Sequence, residues 1–321
     1  MTEEFRPKFQ NKIGLCFSCD DNYVKILAVA LKSIVENSSS NNEYDIIVMH
    51  TDISESSFEI LKQVCNKVNF SIRLYDVSEF LKNYDNNLFY LSFYYNISTY
   101  YRLFITDIFR NFERVIYFDA DMIFTDDVAK LYDIDFDDNY LIASNDLYMH
   151  ILIHYKLDDW EEYLKNTLRM NNPYNYVQAG VLIFNIKKCI ENNLSKKLIE
   201  RLQEIGKPRI VDQDVINSLL ENKIKNMPNE WNLDLNIFDL IKRFGANKVS
   251  KTAKEKFYEA YKNVKIIHYA GQIKPWEHLF MPKSYEFWKY AIKTPALKEV
   301  VLEIFSKRTR KLELLFKIYW A

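Results

Sequence analysis

Apolar and polar residues alternate along the chain in blocks that predict strands and helices by turns. Ile13 to Phe17 is a short apolar run, closed by the polar segment Ser18, Cys19, Asp20, Asp21 and Asn22. From Tyr23 to Glu36 the apolar positions Leu27, Ala30, Leu31 and Ile34 recur at helical spacing, so the first unit reads as strand, polar turn and helix. A second unit repeats the order, with Tyr44 to His50 as strand and Ser54 to Cys65 as helix, and Ser54 is of the type that caps a helix. Further buried-type strands are predicted at Phe70 to Tyr75, Val115 to Phe118, Val177 to Phe184 and Val264 to His268. Helices are predicted from Asn185 onward and over Val211 to Asn222. Near-continuous apolar strands alternating with helices imply an α/β fold whose mostly parallel sheet is covered on both faces. Such sheets bind ligands beyond the carboxyl ends of their strands, which points to the segment after Phe17. Asn37 to Asn42 and Asn83 to Asn87 are polar loops, too short to separate domains.

Beyond Pro282 the character changes, so residues 283–321 are expected to form a region apart from 1–282. The segment reads as helix, broken near Pro295. From Phe305 it carries Lys307, Arg308, Arg310, Lys311 and Lys317 against the single acid Glu313, beside Leu312, Leu314, Leu315, Phe316, Ile318, Tyr319 and Trp320. A basic helix with an apolar, Trp-bearing face predicts contact with an anionic membrane surface; the alternative is a helix packed on the domain with a solvated basic face.

Composition narrows the function classes. Lys plus Arg number 43 and Asp plus Glu 44 in 321 residues, a balance of −1 that argues against bulk capture of nucleic acid. The five glycines are scattered, whereas a dinucleotide fingerprint, a P-loop and a nucleophile elbow each need two or three within a few residues. Four cysteines are too few for a disulfide framework, and a reducing compartment is expected. Cys16 and Cys19 form a CxxC without the second pair of a zinc site, and read as small residues at a strand end. No apolar run approaches the ~18 residues of a membrane span, and Met1 to Lys12 lacks a signal-type apolar core.

The chemistry concentrates after the strand Arg114 to Phe118, where Asp119-Ala120-Asp121 follows directly. In extended backbone the two carboxylates point to one side and can converge on a divalent cation. Other Asp-x-Asp pairs occur, Asp212/Asp214 among them, but only Asp119/Asp121 is fed by a buried strand, where carboxylates are costly unless compensated.

Six segments taken in order resemble glycosyltransferase family 8. They are Cys19-Asp20-Asp21-Asn22-Tyr23, Ser98-Thr99-Tyr100-Tyr101-Arg102-Leu103, Tyr117-Phe118-Asp119-Ala120-Asp121, Ala179-Gly180-Val181-Leu182-Ile183-Phe184-Asn185, Asp212-Gln213-Asp214 and His268-Tyr269-Ala270-Gly271-Gln272-Ile273-Lys274-Pro275-Trp276. Within the family they look most like bacterial lipopolysaccharide galactosyl- and glucosyltransferases. The resemblance spans Ile13 to Trp276 and implies a GT-A fold, in which one Rossmann-like, mostly parallel central sheet is flanked by helices. It also implies a UDP-hexose donor, a Mn2+ ion (Mg2+ as the alternative), transfer with retention, and a tail that attaches to membrane.

Carried over residue by residue, Asp119, Asp121 and His268 resemble the metal ligands, and a mixed oxygen and nitrogen set suits Mn2+ better than Ca2+. Asp20 and Asn22 resemble the uridine contacts, with Tyr23 near the base; a plain helix cap is the alternative for Asp20. Gly271 would admit the diphosphate and Lys274 would bring it a positive charge. Arg102 resembles the arginine that reaches the donor sugar, with a surface ion pair as its alternative. Gln178 stands where the family usually has asparagine, one methylene shorter, which leaves glucose against galactose open. Asp146 resembles an acceptor-side carboxylate. For catalysis Asp212 and Gln213 are the candidates on the far face of the sugar, and an amide is a poor nucleophile, which favours a front-face mechanism. The expected protein is thus a hexosyltransferase acting on a glycan or glycolipid acceptor at the cytoplasmic face of a bacterial membrane. A self- or protein-glycosylating enzyme and a non-catalytic nucleotide-sugar binder are the alternatives.

Overall fold

The strands form where apolar side chains can be buried on both faces. The computed structural model describes residues 5–9, 12–91, 95–244 and 251–303. A seven-stranded sheet runs in the order β3-β2-β1-β4-β7-β6-β8, built from β1 (Lys12–Ser18), β2 (Glu43–His50), β3 (Phe70–Asp76), β4 (Arg114–Phe118), β6 (Leu141–Asn145), β7 (Val177–Asn185) and β8 (Ile224–Asn226). The pairings β1 with β2, β2 with β3, β1 with β4 and β6 with β8 are parallel; β7 runs against both its neighbours. Alternate residues enter opposite cores. Leu15, Phe17, Ile46, Val48, Ile116 and Phe118 face one hydrophobic cluster, while Cys16, Ile47, Met49, Val115 and Tyr117 face the other. Each such side chain contributes roughly 1.5–3 kcal/mol by its burial.

The predicted helices form as α1 (Val24–Asn37), α2 (Glu55–Val64), Ile186–Glu191 followed by Leu194–Ile205, and Val211–Leu220. Ser54 caps α2 by accepting from the Ser57 N–H. Burial on α1 is wider than the predicted stripe, because the helix is covered from two sides. Leu27 and Leu31 pack toward the large sheet, while Ile26 and Val29 join a third cluster with Ile123, Ile267 and Phe287. That second cover is a three-stranded sheet, β5 (Met122–Phe124), β10 (Ile266–His268) and β9 (Leu233–Asp234), together with the helix Ser284–Ala291. Asn37 ties them, donating to the Phe124 carbonyl at 3.0 Å and to the Tyr290 hydroxyl at 2.8 Å.

After Pro282 the structure is helical over Ser284–Ala291 and interrupted around Pro295. The basic aromatic segment from Phe305 lies outside the described residues. All four cysteines are buried and unpaired, and burial pushes the Cys16 and Cys19 thiols well up, which suits inert strand-end residues.

Candidate active site

The two sheets meet at Asp119-Ala120-Asp121, which carries the chain from the end of β4 in the large sheet to the start of β5 in the small one. The Asp119 N–H donates to the Gly180 carbonyl on β7 at 2.9 Å. On the other side β10 pairs antiparallel with β5, setting His268 opposite Met122, and the Tyr269 N–H reaches the Asp121 carbonyl. This register brings His268 to the two carboxylates. Its Nε2 lies 3.5 Å from Asp119 Oδ2 and 3.4 Å from Asp121 Oδ1, and the three side chains offer ligand atoms all within 4.8 Å of one another.

Each carboxylate turns its second oxygen to a cation. Asp119 Oδ1 pairs with Arg102 at 2.8 Å and accepts from the Tyr117 hydroxyl at 3.0 Å. Asp121 Oδ2 pairs with Lys274 at 2.6 Å, and Lys274 also donates to the Tyr269 carbonyl. Burial alone would raise the Asp121 pKa, but Lys274 and His268 outweigh it and hold the group below the usual carboxylate range. Burial opposes the charged form of His268, yet Asp121, Asp119 and Asp234 raise its pKa. The unengaged lone pairs therefore face a common point where a proton or a divalent cation can be held.

Arg102 comes from the 3-10 helix Ile97–Phe104 and is only 5 % exposed, so it is no surface ion pair. Its Nη1 donates to the Ala179 carbonyl at 2.6 Å, its Nε lies 2.9 Å from Asp212 Oδ2, and its guanidinium stacks on Tyr117. It thus bridges Asp119 to Asp212, the second residue of the helix Val211–Leu220. Val211 enters that helix at φ 31°, a conformation that costs a β-branched residue about 1–3 kcal/mol, and Asp212 after it is buried. Asn217 fastens the helix to β7 by bonding both backbone groups of Val177. Asp212 accepts a short hydrogen bond from the Thr99 hydroxyl on Oδ1, whereas Oδ2 makes none. Burial lifts its pKa to about 6, with Arg102 and Thr99 acting against the rise.

Gln213 is held at both ends, its carbonyl accepting from the Ala179 N–H and its amide donating to Asp146 Oδ2, each at 2.9 Å. Asp214 accepts from the hydroxyls of Tyr163 and Tyr176 and anchors the helix. Asp146 caps the helix Leu147–His154 through the Met149 N–H, and burial followed by the Asp234 charge raises it to about 6. With Gln178, Asn232 and Asp234, and the apolar Leu147, Ile237 and Phe257, it lines a cavity of about 10 Å³, room for about one water.

Asp20 and Asn22 follow β1. Asp20 is a cap, accepting from the Tyr23 N–H at 2.9 Å and from Asn96 at 2.7 Å, while Asn22 is exposed. Tyr23 stands edge-on to Trp276, and burial with the charges of Asp121 and Asp119 pushes its hydroxyl pKa well up. Gly271 packs on Asn236: a Cβ there would lie 1.6 Å from the Asn236 Oδ1.

Three polar residues of the site were not singled out from the sequence: Thr99, Asn232 and Asp234. Asn232 is 2 % exposed and links His268 Nδ1 at 2.9 Å to the Gln178 carbonyl at 2.7 Å. For Asn232 and Asp234 the signal lies in Trp231-Asn232-Leu233-Asp234-Leu235-Asn236-Ile237, a strict apolar and polar alternation that marks a strand with one polar face. Gly180 sits at the centre of this arrangement, since a Cβ would meet His268 Cε1 at 2.4 Å. Gly180→Ala is therefore expected to displace the imidazole and weaken binding of a divalent cation between the three side chains by roughly tenfold or more. Calorimetric titration with Mn2+, beside an unchanged far-UV circular dichroism spectrum, measures this.

The sequence model described as glycosyl transferase family 8 matches residues 14–279. A lipopolysaccharide 1,3-galactosyltransferase of Salmonella typhimurium is 28% identical over 189 residues, covering 56% of this chain and 49% of that protein. Among solved structures, the apo form of the bifunctional glycosyltransferase WbbM superposes with a TM-score of 0.82 at 29% identity, over 92% of this chain and 52% of that one. The galactosyltransferase LgtC, solved with donor and acceptor sugar analogs, superposes with a TM-score of 0.69 at 23% identity, over 88% of this chain and 96% of its own. The fold is thus the GT-A fold, and the chain spans about half the length of the first two relatives.

Proposed function

Since the chain belongs to glycosyltransferase family 8, we propose that it moves glucose or galactose from a UDP-sugar to a hydroxyl of a glycan acceptor. Transfer proceeds with retention and uses Mn2+, with Mg2+ as the alternative, held by Asp119, Asp121 and His268. The observation that carries this reading is the convergence of two carboxylate oxygens and one imidazole nitrogen within 4.8 Å, with the remaining carboxylate oxygens occupied by Arg102 and Lys274. The donor set fits the group: hard carboxylate oxygens with one imidazole nitrogen would suit Mn2+, with Mg2+ as the alternative. When bound, the ion supplies Lewis-acid stabilisation to the departing diphosphate.

The residues do the rest. Asp20, Asn22 and Tyr23 receive the uridine, and Gly271 and Lys274 lie along the diphosphate. As the bond from hexose C1 to the β-phosphate oxygen breaks, its electron pair stays on UDP. Positive charge then builds on the sugar ring, where Asp212, whose pKa is about 6 and which is ionised at pH 7, supplies a fixed negative charge. A front-face transfer is supported by Gln213, whose carbonyl is engaged with the Ala179 N–H and so is not free to attack C1. In that transfer the acceptor oxygen bonds to C1 from the side that UDP leaves, and its proton passes to the departing phosphate oxygen. Gln178 and Asp146 contact the donor hexose and the acceptor respectively. The Salmonella relative's name suggests a lipopolysaccharide or other surface glycan as acceptor, and the basic aromatic segment from Phe305 is proposed to rest on the anionic cytoplasmic face of the membrane. Among the described residues no helix is long and apolar enough to cross a membrane.

Slow hydrolysis tests the class without an acceptor. Purified protein with a panel of UDP- and GDP-sugars is expected to release UDP from one UDP-hexose, only with the divalent ion present. Silence across the panel, with no UDP binding by calorimetry, would overturn the enzymatic reading.

A further inference from the structure

We propose that Gln178 and Asn232 form a carboxamide relay that fixes the tautomer and the aim of His268, which makes Asn232 a positioning residue of the metal site. The inference rests on His268 being a metal ligand, as proposed above. The direction of the relay follows from one atom that can only donate. The Gly180 N–H donates to Gln178 at 2.6 Å, so that end of the Gln178 amide is its carbonyl oxygen. The Asn232 atom 2.7 Å from this same oxygen must then be its Nδ2, a donor. The opposite end of Asn232 is therefore Oδ1, an acceptor, and it faces His268 Nδ1 at 2.9 Å. Nδ1 must carry a hydrogen, which leaves Nε2 as the atom presented to Asp119 Oδ2 and Asp121 Oδ1.

All three side chains are buried, at 8 % for Gln178, 2 % for Asn232 and 1 % for His268, so a broken link is not replaced by solvent. The relay also accounts for the glutamine. An asparagine at 178 would draw the carbonyl back by about one carbon–carbon bond, ~1.5 Å. That would carry it out of reach of both the Gly180 N–H and Asn232. A change at residue 178 thereby reaches the metal site through Asn232.

Mn2+ affinity, read by electron paramagnetic resonance with the full chain and UDP present, tests this without turnover. Wild type is expected to bind, and Asp119→Asn to lose binding. Asn232→Leu, which leaves Nδ1–H without an acceptor, is expected to weaken Mn2+ by roughly 10–100-fold, the range seen when such outer partners are removed. Asn232→Asp keeps an oxygen for Nδ1–H but loses the donor to the Gln178 carbonyl, so it is expected, like Gln178→Asn, to weaken binding by about tenfold, short of the loss in Asp119→Asn. Folded Asn232→Leu or Gln178→Asn protein with wild-type Mn2+ affinity would overturn the relay. So would Asn232→Asp binding as poorly as Asp119→Asn, which keeps the test decisive if the leucine variant does not fold. Wild-type protein that binds no Mn2+ would bring down the metal reading itself, and the relay with it.

Discussion

Asp121→Asn is expected to cut metal-dependent UDP release by about 10³-fold, equivalent to losing ~4 kcal/mol of transition-state stabilisation. Asparagine keeps the size of the side chain and removes its charge. One oxygen of Asp121 faces Lys274 at 2.6 Å and the other faces His268 Nε2 at 3.4 Å. An amide has one oxygen for these two partners; whichever way it is turned, an N–H2 group faces either the lysine or the metal position. The fold should lose some stability, because Lys274 and His268 favour the charged form of Asp121 and asparagine leaves the largely buried Lys274 without its carboxylate. UDP release at fixed Mn2+, beside a thermal melt of metal-free protein, separates the two effects. Residual activity above a tenth of wild type at the same Mn2+ would exclude Asp121 as a ligand.

Arg102→Met should act on stability as strongly as the first change acts on turnover. Methionine has comparable length and no donors, so Asp119, Asp212 and the Ala179 carbonyl all lose the guanidinium at once. Removing one partner of a buried ion pair typically costs ~3–5 kcal/mol. For a chain of this length that lowers Tm by roughly 5–7 °C. The loss should depend on pH with a definite sign. The pKa of Asp212 in the fold is about 6, above its unfolded value, so the native state binds this proton more tightly and ionisation costs stability. The cost is absent below about pH 4, grows as pH rises, and in wild type is complete above about pH 6. Arg102 lowers that pKa, so without it the value moves higher and the cost keeps growing toward pH 8. The Tm deficit of the variant is therefore expected to be larger at pH 8 than at pH 5. Equal deficits would assign the loss to packing alone.

The long elements and the two carboxylates of the candidate site were legible for different reasons. A strand such as Tyr44 to His50 is buried on both faces and announces itself as an apolar run, and Asp119/Asp121 stood out because such a run ends on them. The direction of β7 was not legible, since a strand buried on both faces reads alike whichever way it runs. Of the small sheet only β10 was foreseen, within Val264 to His268; β5 has three residues and β9 two, too few for a period to register. That omission hid Asn232 and Asp234, although their alternation with Leu233 and Leu235 was present in the chain. Arg102 and Lys274 were singled out for the donor, yet in this structure they neutralise Asp119 and Asp121. Such partners lie 17 and 153 residues away, and no local pattern encodes a contact of that separation.

The connection between the two sheets has a thermodynamic consequence. Asp119 and Asp121 belong to the crossing from β4 to β5, while His268 belongs to β10 of the three-stranded sheet. An ion held by all three therefore acts as a non-covalent cross-link between layers that otherwise touch through apolar contacts and hydrogen bonds. Its binding free energy is shared with the docking equilibrium of the smaller layer, so that whatever loosens this layer also loosens the grip on the ion. Under the proposed function, catalytic competence and the cohesion of the two layers become a single quantity, with the cation as the term they have in common.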